Sequence, residues 1–368
     1  MPALFTLFRI AALLLTLNTL MGVMPSVTSS ARAEVVQSFY DYPLPKSVSL
    51  CGEPLPLENR FVWEMLDREF NIAVWDRAKV FLWLKRAGRY FPHIEKKLAQ
   101  AGMPKDLKYL AVVESSLIPY IQSSKGAIGT WQFMEDTART KGLRKDRMID
   151  ERRSFERSTD AALKYLKSLK DKFGTWTLAF AAYNCGEARL EKEIKVQRVK
   201  DYYRLELPFE TERFIFRIAA AKMIMENPKR YGYNMAEERT YRPFLCDEVA
   251  VNVRVPLHIP DLAQDLGTDL KTIRDLNPQI ISYYLPAGQY SMKVPAGMGA
   301  KLKALLKEKV RIASYRTETV SDEFYVVRPG DTLSFIEKKT GVSVATMKKL
   351  NRIQGSMIMV GQKIKLRP

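Results

Sequence analysis

The stretch Pro104–Met134, PKDLKYLAVVESSLIPYIQSSKGAIGTWQFM, carries the reading on which the fold turns. Pro104 suits a helix start, because its missing N–H would have no intrahelical partner there. Leu107, Leu110, Ala111 and Glu114 then recur at three- and four-residue steps, and the spacing predicts a helix with all four along one side. A carboxylate on an apolar stripe is an anomaly. Coming after Tyr-Leu-Ala-Val-Val, Glu114 should lose part of its water, which disfavours the anion and lifts the pKa toward that of a general acid near neutrality. The plainer reading is a satisfied buried carboxylate with no chemical role. Ser123, Gly126 and Gly129 follow as a loop, where glycines let the backbone approach a ligand closely. Trp131, Gln132, Phe133 and Met134 add apolar faces and one amide, a mixture that suits a sugar ring.

Working outward, helical periodicity extends from about Asn59 to Glu226. In DAALKYLKSLKDKF, Ser158 or Thr159 is the expected N-cap and Gly174 the expected stop. AFAAYNCGEARL places Tyr183 and Asn184 at the end of an apolar helix, with Gly186 just beyond. LPFETERFIF places Glu210 on a helix start after Pro208. Beyond Pro228 the pattern changes to strand, helix, helix, strand, and it occurs twice. Asp275–Pro278 in the first copy corresponds to Lys349–Arg352 in the second.

The chain has 368 residues, enough for two or three domains, and a net charge of +18 that favours a polyanionic partner. Nucleic acid, an anionic membrane surface and bacterial cell wall would each satisfy that charge. No basic helix with interleaved stacking aromatics points to nucleic acid. A basic start, the apolar run Ile10–Met24 and the end Ala31-Arg32-Ala33 read as a cleavable secretory signal; a retained anchor would be short for a membrane span. Three cysteines suggest one disulfide and one free thiol, with Cys51–Cys246 as the pairing to test. Neither the cysteines nor His93 and His258 have metal-ligand spacing, so no metal or other cofactor is expected.

Several motifs stand in order: Glu114-Ser115, the Ser-x-x-Gly-Ala-x-Gly-x-Trp-Gln-Phe-Met run from Ser123 to Met134, Ala182-Tyr183-Asn184-x-Gly186, and Pro208-Phe209-Glu210-Thr211. Together they resemble the family 23 lytic transglycosylases, in particular the membrane-bound type D, over roughly Trp63 to Arg230 and on into both repeats. The second repeat, from Tyr325 with Pro329-Gly330-Asp331-Thr332-Leu333 and Leu350-Asn351, resembles a LysM domain, and it holds nine basic and two acidic residues from Phe324 onward. The first repeat lacks the Gly-Asp-Thr signature. The resemblance implies a mainly α, lysozyme-like catalytic domain followed by small α+β (βααβ) LysM-like modules. The expected boundaries are a signal peptide at 1–33, the catalytic domain with a helical extension at 34–232, a degenerate module at 240–297, a linker at 298–322 and the LysM domain at 323–368.

The resemblance also implies roles. Glu114 matches the catalytic acid/base. Ser123, Gln132 and Met134 match positions lining the sugar cleft. Tyr183 matches the tyrosine that orients the catalytic carboxyl or the reacting sugar, with Asn184 beside it, and Glu210 matches a buried acid supporting the cleft. Trp131 is expected to pack rather than stack on sugar. Three positions depart from the family pattern: Glu135 for proline, Cys185 for alanine, and Phe214 without a hydroxyl. The implied activity is non-hydrolytic cleavage of peptidoglycan glycan strands by an exported monomer, held at the wall or at the membrane through its N-terminal segment. The alternatives are a hydrolytic lysozyme-type muramidase, with Glu135 or Asp136 as its second carboxylate, and a non-catalytic wall-binding protein.

Overall fold

The first described secondary structure is the short hairpin β1 (Ser49–Leu50) and β2 (Glu53–Pro54), ahead of a helical region. The computed structural model describes residues 41–307 and 324–367, Pro329 excepted, so the expected signal at 1–33 lies outside the described residues. Two long helices follow, α1 (Arg60–Trp75) and α2 (Arg77–Gln100). Asn59 caps the first and Asp76 the second, each accepting a backbone N–H of the first turn. After a 3₁₀ turn at Lys105–Leu107 comes α3 (Lys108–Ser115), then the loop to α4 (Glu135–Thr140).

The centre is built by α5 (Phe155–Phe173), α6 (Trp176–Cys185) and α8 (Phe209–Glu226), with α7 (Glu187–Gln197) between the last two. In α6 every residue from Trp176 to Ala182 is buried, which is what a helix apolar all round requires. In α8, Ala219, Ala220 and Ala221 are wholly buried and give its neighbours close approach. The cap of α5 is Ser154, not Ser158 or Thr159. Those two lie one turn inside, where both hydroxyls bond back to Phe155 O. Gly174 ends the helix in the left-handed region, φ 92°, as expected.

The first module pairs β3 (Cys246–Val253) antiparallel with β6 (Gly288–Pro295), with Cys246 opposite Pro295 and Val253 opposite Gly288. Val249, Val251 and Val253 alternate inward against α9 (Ile259–Leu266) and α10 (Leu270–Leu276). The pair β4 (Leu257–His258) and β5 (Tyr284–Leu285) lies between them. The segment expected to be a linker from residue 298 begins instead with a helix, α11, described over 299–307; its Leu302 is wholly buried in the module's core. The module therefore runs past 297, and residues 308–322 lie outside the described residues.

The second module sets β7 (Phe324–Val326) against β8 (Lys363–Lys365), around α12 (Leu333–Thr340) and α13 (Val344–Asn351). The repeat noted in sequence has a structural purpose. Asn277 bonds Lys293 through both its backbone groups, at 2.9 and 2.6 Å, and Asn351 does the same with Lys365, at 2.6 and 2.8 Å. In each copy one asparagine pins the second helix to the last strand.

All three cysteines are free, contrary to the expected disulfide. Cys51 sits in the β1–β2 turn with its N–H on Asp106 Oδ2 at 2.7 Å, whereas Cys246 opens β3 of the first module.

Candidate active site

Glu114 stands on the last turn of α3, where Ser116 and Leu117 follow in left-handed backbone, φ 52° and 60°. That break turns the chain away and leaves Glu114 half-buried at the helix end. Ser115, beside it, is buried and bonds Thr130 O at 2.8 Å, so the helix holds the following loop directly. Within the loop, Ile128 and Phe133 exchange two backbone bonds of 3.1 Å, and Ser123 pairs with Ala127 through its N–H (2.9 Å) and its hydroxyl (3.0 Å). Gln132 also has positive φ, 49°, and its amide donates to Gly129 O at 2.8 Å. Held left-handed conformations at non-glycine residues store roughly 1–3 kcal/mol each and gather at working sites.

Trp131 is wholly buried with Nε1 on Thr159 Oγ1 at 2.9 Å, as a packing residue should be. Met134, by contrast, is 46% exposed and available to a ligand. The Tyr183 ring lies among Phe133 and Tyr165, and its hydroxyl donates to Trp131 O at 2.7 Å. In this structure Tyr183 therefore steadies the loop; its hydroxyl is not spent on the Glu114 carboxyl. Asn184 Oδ1 accepts from Thr211 Oγ1 at 2.8 Å, joining the end of α6 to the start of α8. Cys185, the next residue, is half-buried, so a thiol does lie beside this cluster.

Glu210 is not the buried acid that was expected. Its side chain is 59% exposed and ion-paired with Lys125 at 3.2 Å, because the buried face of α8 begins at Thr211 and Phe214 and turns Glu210 outward. It still acts on the site. Glu114 is pushed up to about 8 mainly by loss of water, with the negative charge of Glu210 adding and the Arg217 guanidinium opposing. Tyr183 is held well above its ordinary range by burial, then by the nearby Glu114, so it is a neutral donor. Glu135 pairs with Arg139 at 2.9 Å on the exposed side of α4.

Arg217 escaped the sequence reading, although two turns after Glu210 on one helix is a legible spacing. It donates to Val113 O at 3.4 Å, and a pocket of about 310 Å³ lies alongside, lined by Lys79, Trp83, Val113, Arg213 and Arg217. A larger cavity, about 940 Å³, lies between α2, α5 and the first module and is lined by Tyr90, His93, Phe155, Cys246 and Lys293; Glu114 does not line it.

A mainly helical domain with a desolvated Glu114 beside a strained glycine loop, followed by two small modules of paired strands around two helices, defines a class. The chain carries a transglycosylase SLT domain, matched over residues 91–205, and LysM domains, matched over 259–290 and 325–367. It is 32% identical over 292 residues to membrane-bound lytic murein transglycosylase D of Escherichia coli K12, covering 76% of this chain and 63% of that relative. The chain thus spans less than two thirds of that relative's length. Over 86 residues, 23% of this chain and 6% of the relative, it is 41% identical to peptidoglycan transglycosylase gp16 of Escherichia phage T7. A solved structure, the 70 kDa soluble lytic transglycosylase of Escherichia coli, aligns with TM-score 0.35 and 18% identity over 49% of this chain and 33% of that one.

Proposed function

We propose that this protein is a lytic transglycosylase that cleaves the β-1,4 bond between N-acetylmuramic acid and N-acetylglucosamine in peptidoglycan. The observation that carries the reading is the position of the Glu114 carboxyl at the end of an apolar helix beside the substrate loop, where loss of water pushes its pKa up to about 8. Protonated, it donates to the glycosidic oxygen as the C1–O bond breaks, which releases the glucosaminyl hydroxyl. The resulting carboxylate takes the proton of the muramyl C6 hydroxyl while that oxygen bonds C1. The product is a 1,6-anhydromuramyl end, Glu114 regains its proton, and no water is consumed. An internal nucleophile has a large effective concentration, so a second protein carboxylate is dispensable. Glu210, exposed and paired with Lys125, fits a tuning role better than that of a water-activating base.

Ser123, Gln132, Met134, Tyr183 and Asn184 then shape the sugar cleft, Tyr183 through the loop it holds. The second module suits glycan binding. Its Asp331 carboxylate gathers Tyr325 OH and Arg328 N at 2.8 and 2.7 Å into the turn before α12, and the first module's sequence has no Gly-Asp-Thr to match it. An exported monomer held at the wall or the membrane is the matching setting; the name of the murein relative calls that protein membrane-bound and a murein transglycosylase. No helix among the described residues is long and apolar enough to cross a membrane.

The test is mass analysis of sacculus digests. The intact protein should release anhydro ends, and Glu114→Gln should lose about 10²- to 10⁴-fold in rate while still binding sacculi. Reducing ends, one water heavier, would make it a hydrolase; full activity in the variant would remove Glu114 from the mechanism.

A further inference from the structure

The loop from 141 to 154 joins α4 to α5 on the catalytic side, yet part of it belongs to the first module. Ile149 is 2% exposed and lies in that module's core with Val251, Leu257 and Ile280. Asp150 N donates to Gln279 O and Ile281 N to Met148 O, both at 2.9 Å, so this stretch pairs with the module's backbone. The next positions face the other way. Asp150 and Arg152 are 2% and 3% exposed and pair in a fork, Nε on Oδ1 at 2.9 Å and Nη2 on Oδ2 at 2.7 Å. The remaining nitrogen of Arg152, Nη1, donates to Gly126 O and Phe133 O, both at 3.3 Å. Those carbonyls lie towards either end of the loop that carries Ser123, Gln132 and Met134. The same loop rests on the Arg152 backbone so closely that a Cβ at Gly129 would come within 1.9 Å of Arg152 O.

We propose that the first module braces this substrate loop, with Asp150 and Arg152 as positioning residues, so that the docked module is part of the catalytic apparatus. Ile149 in the module's core and Asp150 in the clamp are adjacent in the chain and leave no slack between the two contacts. A buried ion pair is weak evidence for stability, since well-packed apolar residues often serve as well; what the bidentate fork supplies here is a fixed geometry for two loop carbonyls. A module acting only as a tether would raise the local concentration of wall and nothing more.

The inference rests on reading 123–134 as the substrate loop, and its test separates the two questions. Ile149→Ala and Asp150→Asn are made in the full chain, and turnover is measured on a soluble tetrasaccharide, for which tethering to the wall confers no advantage. Both variants should lose about tenfold in turnover with the midpoint of the basic pH limb unmoved, because Glu114 keeps its surroundings. Hydrogen exchange at the Ile128 and Phe133 amides should accelerate in both, while amides of the α6 core keep wild-type protection. Wild-type turnover together with wild-type exchange at those two amides would overturn the brace. The exchange measurement needs no activity, so it stands even if the intact protein fails to cleave glycan and the enzymatic reading falls.

Discussion

Glu114 must hold a proton and then accept one back, and its neighbours pull in opposite directions. Loss of water dominates, Glu210 assists and Arg217 resists, so each substitution has a signed outcome. The basic limb of kcat/KM should centre near 8 in the intact protein. Glu210→Gln should move it to lower pH and Arg217→Met to higher pH; a profile unmoved by both would show that neither charge reaches the carboxyl. The same shift bears on stability. Below the ordinary carboxyl pKa, Glu114 is protonated folded or unfolded and contributes nothing. As pH rises toward 8 the unfolded chain ionises first, so the native state is progressively disfavoured. At pH 8, Glu114→Gln should therefore stabilise the protein by roughly 1–2 kcal/mol, after discounting for partial exposure, and by nothing at pH 4. Denaturant titrations at the two pH values measure it. The burial of Glu114 was legible in Tyr109–Val113. The charges that tune it come from α8, and only tertiary contact reveals which of its residues face inward. The expectation of a buried Glu210 came from the family resemblance, and the inward face of α8, which begins at Thr211, leaves it outside.

At the scale of elements, helices declared themselves through periodicity, and their ends declared themselves less well. Ser158 and Thr159 look like caps, but a serine one turn earlier, Ser154, is the residue with a free first-turn N–H to accept. Thr159 has a different task, accepting from Trp131 at 2.9 Å and so anchoring the substrate loop from behind. Glycines in that loop also differ in a way that sequence does not show. Gly126 and Gly129 both have positive φ, 86° and 91°, but a Cβ at Gly126 would meet open space and one at Gly129 would strike the Arg152 carbonyl. Gly126→Ala should cost about 1–2 kcal/mol for its left-handed backbone alone. Gly129→Ala adds an overpacking cost of about 1–3 kcal/mol and moves the loop off its clamp. Urea midpoints should rank the two variants in that order, and tetrasaccharide turnover should fall much further for Gly129→Ala. Equal losses would mean that the loop yields to the added methyl group.

At the scale of the molecule, the repeat of two small modules was legible because each must rebuild the same core, and the recurring asparagine, Asn277 and Asn351, marked the register. The docking of the first module onto the catalytic helices was not legible, since Ile149 reads as an ordinary loop residue until its contacts are known. Charge acts at this scale too. The net +18 is spread along the chain, and the second module holds nine basic residues against two acidic ones. Attraction between that surface and an anionic wall operates over several ångströms of water, where the screening length falls from about 10 Å at 0.1 M salt to about 3 Å at 1 M. The forces that set up Glu114 are short-ranged and largely desolvated, so salt reaches them little. Raising salt from 0.1 to 1 M should therefore release much of the protein from isolated sacculi while tetrasaccharide turnover changes less than about twofold. Sedimentation with sacculi measures the first and product chromatography the second. If wall binding persisted through 1 M salt, neutral glycan contacts in the modules would be holding the protein there, and the basic surface would be left with steering the approach.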